Sequence, residues 1–192
     1  MSNLAPPQLI ALYAPVMQSG KTQIANVLQL SHSFRLVKFA DPFKAFVKEL
    51  LIQGGATEPM AQRMVEGDLK EEPIGALGGR TVREMLQTLG SDWGRNTIHP
   101  DLWMSVAMRK VDANLQAGLS VVIDDLRFPN EYEAVIARGG HPVKVVRPGV
   151  SPYRGHASEG QLESYPMSVF HNVSTLEQLR LDAERLPGLL RG

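Results

Sequence analysis

Directly behind the apolar run LIALY stands APVMQSGKT, residues 14–22, and this stretch limits the architecture more than any other in the chain. A strand, a tight turn ending in Gly-Lys-Thr, and an amphipathic helix form the arrangement in which backbone N–H groups cradle phosphate oxygens. Ser19, Gly20, Lys21 and Thr22 supply the end of that loop, and Ile24, Ala25, Val27 and Leu28 give the following segment a helical apolar face. Lysine would neutralise the outer phosphates, and the threonine hydroxyl would hold Mg²⁺. The full pattern G-x-x-x-x-G-K-[ST] has a glycine where this chain has Pro15, which fixes φ and removes one N–H at the rim of the loop. Taken alone, SGKT also fits a helix-capping turn with an exposed lysine, the lesser of the two readings.

The remaining apolar runs decide how such a loop is mounted. QLIALYA, RLVKFA, LSVVIDDL and HPVKVV are short and β-rich, with helical sequence between them, the spacing of a parallel sheet. An α/β fold of one globular domain follows, and 192 residues with 43% hydrophobic content suffice for its core. The long stretch from Asp41 to Gly118 reads as several helices. Within it Val82, Met85, Leu86, Leu89 and Trp93 recur at helical spacing and predict one buried face. EEPIGALGGR is a Pro/Gly loop, RPGVSPYRGHASEG a polar, basic and mobile one, and STLEQLRLDAERL a closing helix capped by Ser174 or Thr175.

Charge excludes one class of partner. With 20 Lys+Arg against 20 Asp+Glu there is no global field to hold a nucleic-acid polymer, so phosphate recognition falls to local arginines and amides. No cysteine is present, which removes disulfides, thiolate catalysis and cysteine zinc sites. MSNLAPPQ lacks a signal-like apolar stretch and no run reaches spanning length, so a soluble cytoplasmic protein without a membrane partner is expected.

Carboxylates and arginines stand where the predicted strands end. Asp124 and Asp125 close an apolar strand at the edge where open α/β sheets bind ligands, and a carboxylate there can hold Mg²⁺ opposite Thr22. The alternative for one of the pair is to cap the helix near Asn130. Asp41 likewise either caps the helix after Pro42 or orients an acceptor oxygen. Arg83, Arg95, Arg127, Arg147 and Arg154 lie at turns, strand ends or loops, placements suited to planar bidentate recognition of phosphate. His99 and His156 have no helical histidine partner and make a weak metal case.

Taken in order, SGKT, FADPFK at 39–44, TVREMLQTLGSDWGRNTIHPDLW at 81–103, IDDLRFPNE at 123–131, VVRPG at 145–149 and HASEG at 156–160 resemble the bacteriophage deoxynucleoside monophosphate kinases, from about Leu9 to Leu179. The resemblance implies a P-loop kinase fold related to adenylate and dephospho-coenzyme A kinases. It further implies a helical acceptor-binding region over about 42–118, a lid-like loop over 148–160, and ATP and Mg²⁺ as co-substrate and cofactor. By the same resemblance Ser19, Gly20, Lys21, Thr22 and Arg147 bind the donor, and Thr22 and Asp125 hold the metal. Asp41, Phe43, Arg83, Arg95 and Arg127 serve the acceptor, Trp93 or Trp103 stacks on a base, and Lys21, Arg127, Arg154 and Asp41 act on the transfer. Relatives suggest a homodimer, and a phage-encoded copy would work in the host cytoplasm. Two departures stand out: Pro15 for the first loop glycine, and HNVST for the usual Asn-Asp-Gly turn before the last helix.

The activity implied is transfer of the γ-phosphoryl group of ATP to a deoxynucleoside 5′-monophosphate. A kinase of another small acceptor such as dephospho-coenzyme A, and a nucleotide-binding module without turnover, stay open at this point.

Overall fold

The computed structural model describes residues 6–16, 18–149, 160–173 and 175–191. Along the chain come β1 (Leu9–Tyr13), α1 (Lys21–His32), β2 (Arg35–Leu36), α2 (Asp41–Gln53), α3 (Glu58–Glu66), α4 (Val82–Gln87) and a π-helix (Thr88–Ile98). Then follow α5 (Leu102–Gln116), β3 (Val121–Leu126), α6 (Pro129–Ile136), β4 (His141–Val146), β5 (Ser168–His171) and α7 (Leu176–Leu189). The chain divides into two compact units, Met1–Lys38 with Met108–Gly192, and Phe39–Ala107.

The first unit is the expected α/β layer. Its five strands run parallel in the order β2-β3-β1-β4-β5, with the first strand at the centre. All of β1 is buried, as a strand covered on both faces must be. Ile24 and Leu28 of α1, with Leu179, Ala183 and Leu186 of α7, pack on Ile10, Leu12, Val122, Val143 and Phe170. Two strands differ from expectation. β2 covers only two residues of RLVKFA, although Val37 N–H continues the pairing to Val122 O at 3.0 Å. β5 was not expected as a strand; SVFH is an edge strand with one buried residue, Phe170, and its short, mostly exposed pattern carries little periodic signal.

The closing helix forms as predicted, capped by Thr175, whose hydroxyl accepts from Gln178 N–H at 3.3 Å. Ser174, the alternative cap, lies outside the described residues. No helix is long and apolar enough to cross a membrane among the described residues.

The second unit is helical. Val47, Met64, Val65, Val82 and Leu86 form its core. Thr81 opens α4 with a reciprocal cap. Its hydroxyl accepts from Glu84 N–H, and the Glu84 carboxylate accepts in turn from Thr81 N–H. The predicted buried face holds for Val82 and Leu86, with Met85 and Leu89 partly buried against the same core, and fails at Trp93, which is 46% exposed. The cause is the π-helix: bonds to the fifth residue back widen the turn, so a stripe drawn at ordinary helical spacing loses phase after Gln87.

Trp103 takes the buried place instead, 8% exposed, its indole N–H donating to Gly90 O at 3.0 Å. Gly90 and Gly94 make room for it. A Cβ on Gly94 would overlap the indole, with Cζ2 only 2.8 Å away, and one on Gly90 would meet the Phe43 ring at 3.3 Å. Gly94→Ala is therefore expected to destabilise the protein by about 1–3 kcal/mol, the usual cost of overpacking a filled site. Urea unfolding reads this as a lower midpoint at unchanged slope.

Candidate active site

β1 delivers the chain to the carboxyl edge of the sheet, where it turns into α1. Gly20 sits at φ 103° as the residue before the helix, a left-handed backbone that glycine adopts without strain. Among the described residues no side-chain cap bond is made at the start of α1; its first backbone bond runs from Ile24 N–H to Gly20 O at 3.0 Å. An uncapped helix start following a glycine turn is an anion site in waiting, with the helix dipole favouring negative charge. Gln18 also has a positive φ, an uncommon state for a residue with a side chain. Arg147, just after β4, donates to Gln18 O at 2.9 Å. Asn172, just after β5, donates to Ser19 O at 2.9 Å. Thus Arg147, expected on the donor nucleotide, is placed against the loop backbone.

Ser19 is buried at 1% exposure, and its hydroxyl has no hydrogen-bond partner among the described residues. Asp124, 5% exposed, is the carboxylate next to Thr22: its Oδ2 accepts from the Thr22 hydroxyl at 3.4 Å and lies 3.4 Å from Lys38 Nζ. Its Oδ1 is likewise buried and unpartnered among the described residues. The sequence offers both aspartates for the place opposite Thr22, and the resemblance puts Asp125 on the metal; Asp124 is the one whose carboxylate meets the Thr22 hydroxyl. The physical reason is a register shift, since Ala11 pairs with Ile123 but Tyr13 with Leu126, so β3 spends one residue more than β1 across the two aspartates. Such a shift re-aims side chains at a strand end.

At the start of the next helix Glu131, 2% exposed, accepts through its carboxylate from Arg127 N–H at 2.9 Å and Phe128 N–H at 3.1 Å and so fixes the backbone that carries Arg127. Beside the loop, Tyr13 at the end of β1 donates to Glu163 at 3.0 Å, and Lys144 reaches the same carboxylate at 2.6 Å. Burial, reinforced by Glu163, pushes the Tyr13 phenol above its ordinary pKa. Burial also pushes the Glu163 carboxyl up, but the hydrogen bonds from Lys144 and Tyr13 outweigh it and hold it below the usual value. Arg154 and His156 lie outside the described residues.

The helical unit gathers a second set. Asp41 is the first residue of α2, one past Ala40 at the cap position. Phe43 and Trp103 ring centres stand 5.3 Å apart, and Trp93 and Trp103 6.1 Å. Of the two tryptophans, Trp93 is the one left with an open face. Arg83 pairs through Nε with Glu71, and Arg95 donates to Pro100 O at 3.3 Å. Lys44 bridges to Glu66 at 2.8 Å. Burial, then the charges of Lys44 and Arg83, hold the Lys70 ammonium below its ordinary pKa, with Glu66 and Glu71 acting the other way. His99 accepts from Asp101 N–H at 3.1 Å, the role of a turn residue.

Sequence reading missed Lys38, Lys44, Lys70 and Asn172. Lys44 stands within FADPFK and could have been flagged with its neighbours; the other three gain meaning only from contacts that the fold creates.

The family described as deoxynucleotide monophosphate kinase matches residues 78–182 of this chain. A protein of Acanthamoeba polyphaga mimivirus, provisionally named a deoxynucleotide monophosphate kinase, is 33% identical over 179 residues, spanning 83% of this chain and 86% of its own. An uncharacterised protein of Ictalurid herpesvirus 1 is 36% identical over 87 residues, 43% of this chain and 37% of its own. Among solved structures, one from Chloroflexus aurantiacus, provisionally named a kinase, is 13% identical with a TM-score of 0.49, covering 98% of each chain.

Proposed function

Because the chain belongs to the deoxynucleotide monophosphate kinase family, and is thus a phosphotransferase, we propose that it transfers the γ-phosphoryl group of ATP to a deoxynucleoside 5′-monophosphate with Mg²⁺. The observation that carries the assignment is the pairing of Thr22 with a buried Asp124 beside an uncapped helix start. Two buried oxygens there, Ser19 Oγ and Asp124 Oδ1, lack partners among the described residues. Natural proteins seldom bury polar atoms unsatisfied, and a ligand supplies the missing partners. A hydroxyl and a carboxylate are hard oxygen donors of the kind Mg²⁺ prefers. Thr22 and Asp124 would hold the ion, which would supply positive charge against the donor's outer oxygens.

In the reaction the bond from the γ-phosphorus to the β,γ-bridging oxygen breaks and one from that phosphorus to an acceptor phosphate oxygen forms. The acceptor is already an anion at neutral pH, since a phosphate monoester loses its second proton near about pH 6. No residue has to act as a strong base, and Asp41 serves as an orienting carboxylate. What the enzyme must supply is alignment and positive charge. Lys21 and the loop amides take the donor's outer phosphates, and Arg127, on a backbone fixed by Glu131, acts on the transferring group. Arg154 adds a further cation to it.

On the acceptor side Arg83 and Arg95 hold the monophosphate, and Phe43, Trp93 and Trp103 offer aromatic surface to the base, Trp93 being the open one. Arg83→Ala is expected to raise KM for the monophosphate roughly tenfold or more, the loss of one charge-assisted bond, while KM for ATP stays within about twofold. Equal changes in both constants would return Arg83 to an ordinary surface role. Turnover on a panel of ribo- and deoxynucleoside monophosphates, with ATP, dATP and GTP as donors, tests the function as a whole. ADP release on no monophosphate at all would defeat it.

A further inference from the structure

Asn172 stands 153 residues from Ser19 in the chain, yet its side-chain amide donates to the Ser19 carbonyl in a fully buried bond of 2.9 Å. The residue is 7% exposed, and its own N–H donates to Val146 O at 2.8 Å, so the last residue of β4 fixes its backbone. Gly20 is shaped around it. A Cβ there would lie 2.7 Å from Asn172 Nδ2 and 3.0 Å from Leu179 Cδ1. One residue earlier in the loop, Gln18 O accepts from Arg147 at 2.9 Å. Two successive loop carbonyls are therefore each held by a side chain that follows one of the neighbouring strands.

Peptide geometry turns this into a statement about the anion site. In a trans peptide the C=O and the N–H of the next residue point opposite ways. Holding Gln18 O aims Ser19 N–H away from Arg147, and holding Ser19 O aims Gly20 N–H away from Asn172. Gln18 has a positive φ of 56°, a conformation that persists in a residue with a side chain when surrounding contacts over-determine it.

We propose that Asn172 is a positioning residue for the phosphoryl donor: without touching the nucleotide, it locks the Ser19–Gly20 peptide so that its N–H meets the polyphosphate. HNVST, which reads in sequence as a mere turn variant, thus contributes a working part of the site. The inference rests on the donor reading of the loop given above.

The test compares two substitutions in the full chain. Asn172→Asp keeps the shape and replaces the donor with an acceptor facing the Ser19 carbonyl. Gln8→Glu does the same to a buried amide before β1, at the opposite edge of the sheet, where Gln8 Nε2 donates to Pro187 O at 3.0 Å. Both lose one buried hydrogen bond, so both should lower Tm. Calorimetric titration with ATP and with inorganic tripolyphosphate should show N172D weakened roughly tenfold for each, and Q8E within about twofold of wild type. KM for the best acceptor monophosphate should stay within about twofold in both. Should N172D fail to fold, N172S, whose hydroxyl falls short of Ser19 O, carries the same comparison. Wild-type affinity for ATP and tripolyphosphate in the Asn172 variants, or a loss no larger than that of Q8E, overturns the proposal. A wild-type chain that binds neither ligand overturns the donor reading and this one with it.

Discussion

Lys21→Ala is expected to lose at least ~10²-fold in turnover with ATP and a deoxynucleoside monophosphate, the order found when one preorganised charge at a transferring group is removed. The residue opens α1 immediately after the left-handed Gly20, so its side chain starts from the one place where the turn, the helix dipole and the Thr22 hydroxyl come together. In phosphoryl transfer the protein does little covalent work; it spreads and neutralises charge on oxygens that must approach one another. An ammonium group there acts on the outer phosphates in both ground and transition states, so KM for ATP should rise as kcat falls. Stability should hardly change, because Lys21 is only half-buried and the apolar face of α1 is carried by Ile24, Ala25, Val27 and Leu28. A coupled assay of ADP release, with Tm recorded on the same samples, reads both quantities. Turnover equal to wild type would rule out the mechanism, and a collapse of Tm would mean that the loss was one of folding.

What the sequence made legible was whatever lies within one short window. The loop SGKT, the helix after it and the Thr175 cap of the last helix each lie within a few residues, so local chemistry specifies them. The strands were visible because a central parallel strand is apolar throughout, as LIALY and VVI are. β5 was not, because an edge strand of four residues with one buried side chain has no period to detect. Trp93 is exposed where the stripe predicts burial, since a π-helix shifts the phase along Thr88–Ile98 while the sequence still looks α-helical. Glycines 90 and 94 held the missing clue: two small residues one turn apart leave a groove that a bulky side chain elsewhere must fill. The rest depended on distance along the chain. Thr22 and Asp124 are 102 residues apart and Ser19 and Asn172 are 153, and no local pattern says which of two adjacent aspartates a register shift will turn toward a hydroxyl.

That choice between aspartates leads to the second large effect. Asp124→Asn is expected to lower kcat on the order of 10²-fold and to move the Mg²⁺ requirement to higher concentration, while the same change at Asp125 costs far less. Asp124 is buried at 5% exposure with a carboxylate oxygen that no described group satisfies, an arrangement that costs roughly 1–3 kcal/mol or more for an ionised group. A core designed for stability alone would not keep it; a site that must bind a cation would. Asparagine preserves the shape and can still meet the Thr22 hydroxyl, so the loop should remain in place. It gives up the attraction to Lys38 and relieves the cost of a buried charge, two terms of opposite sign, and Tm should move by only a few degrees. Activity and stability are thereby separated: the variant should be as well folded as its parent and catalytically poor, with part of the deficit recovered at high Mg²⁺. Titrating turnover against Mg²⁺ for wild type, D124N and D125N decides the matter, and a D125N deficit larger than that of D124N would hand the metal to the neighbouring carboxylate.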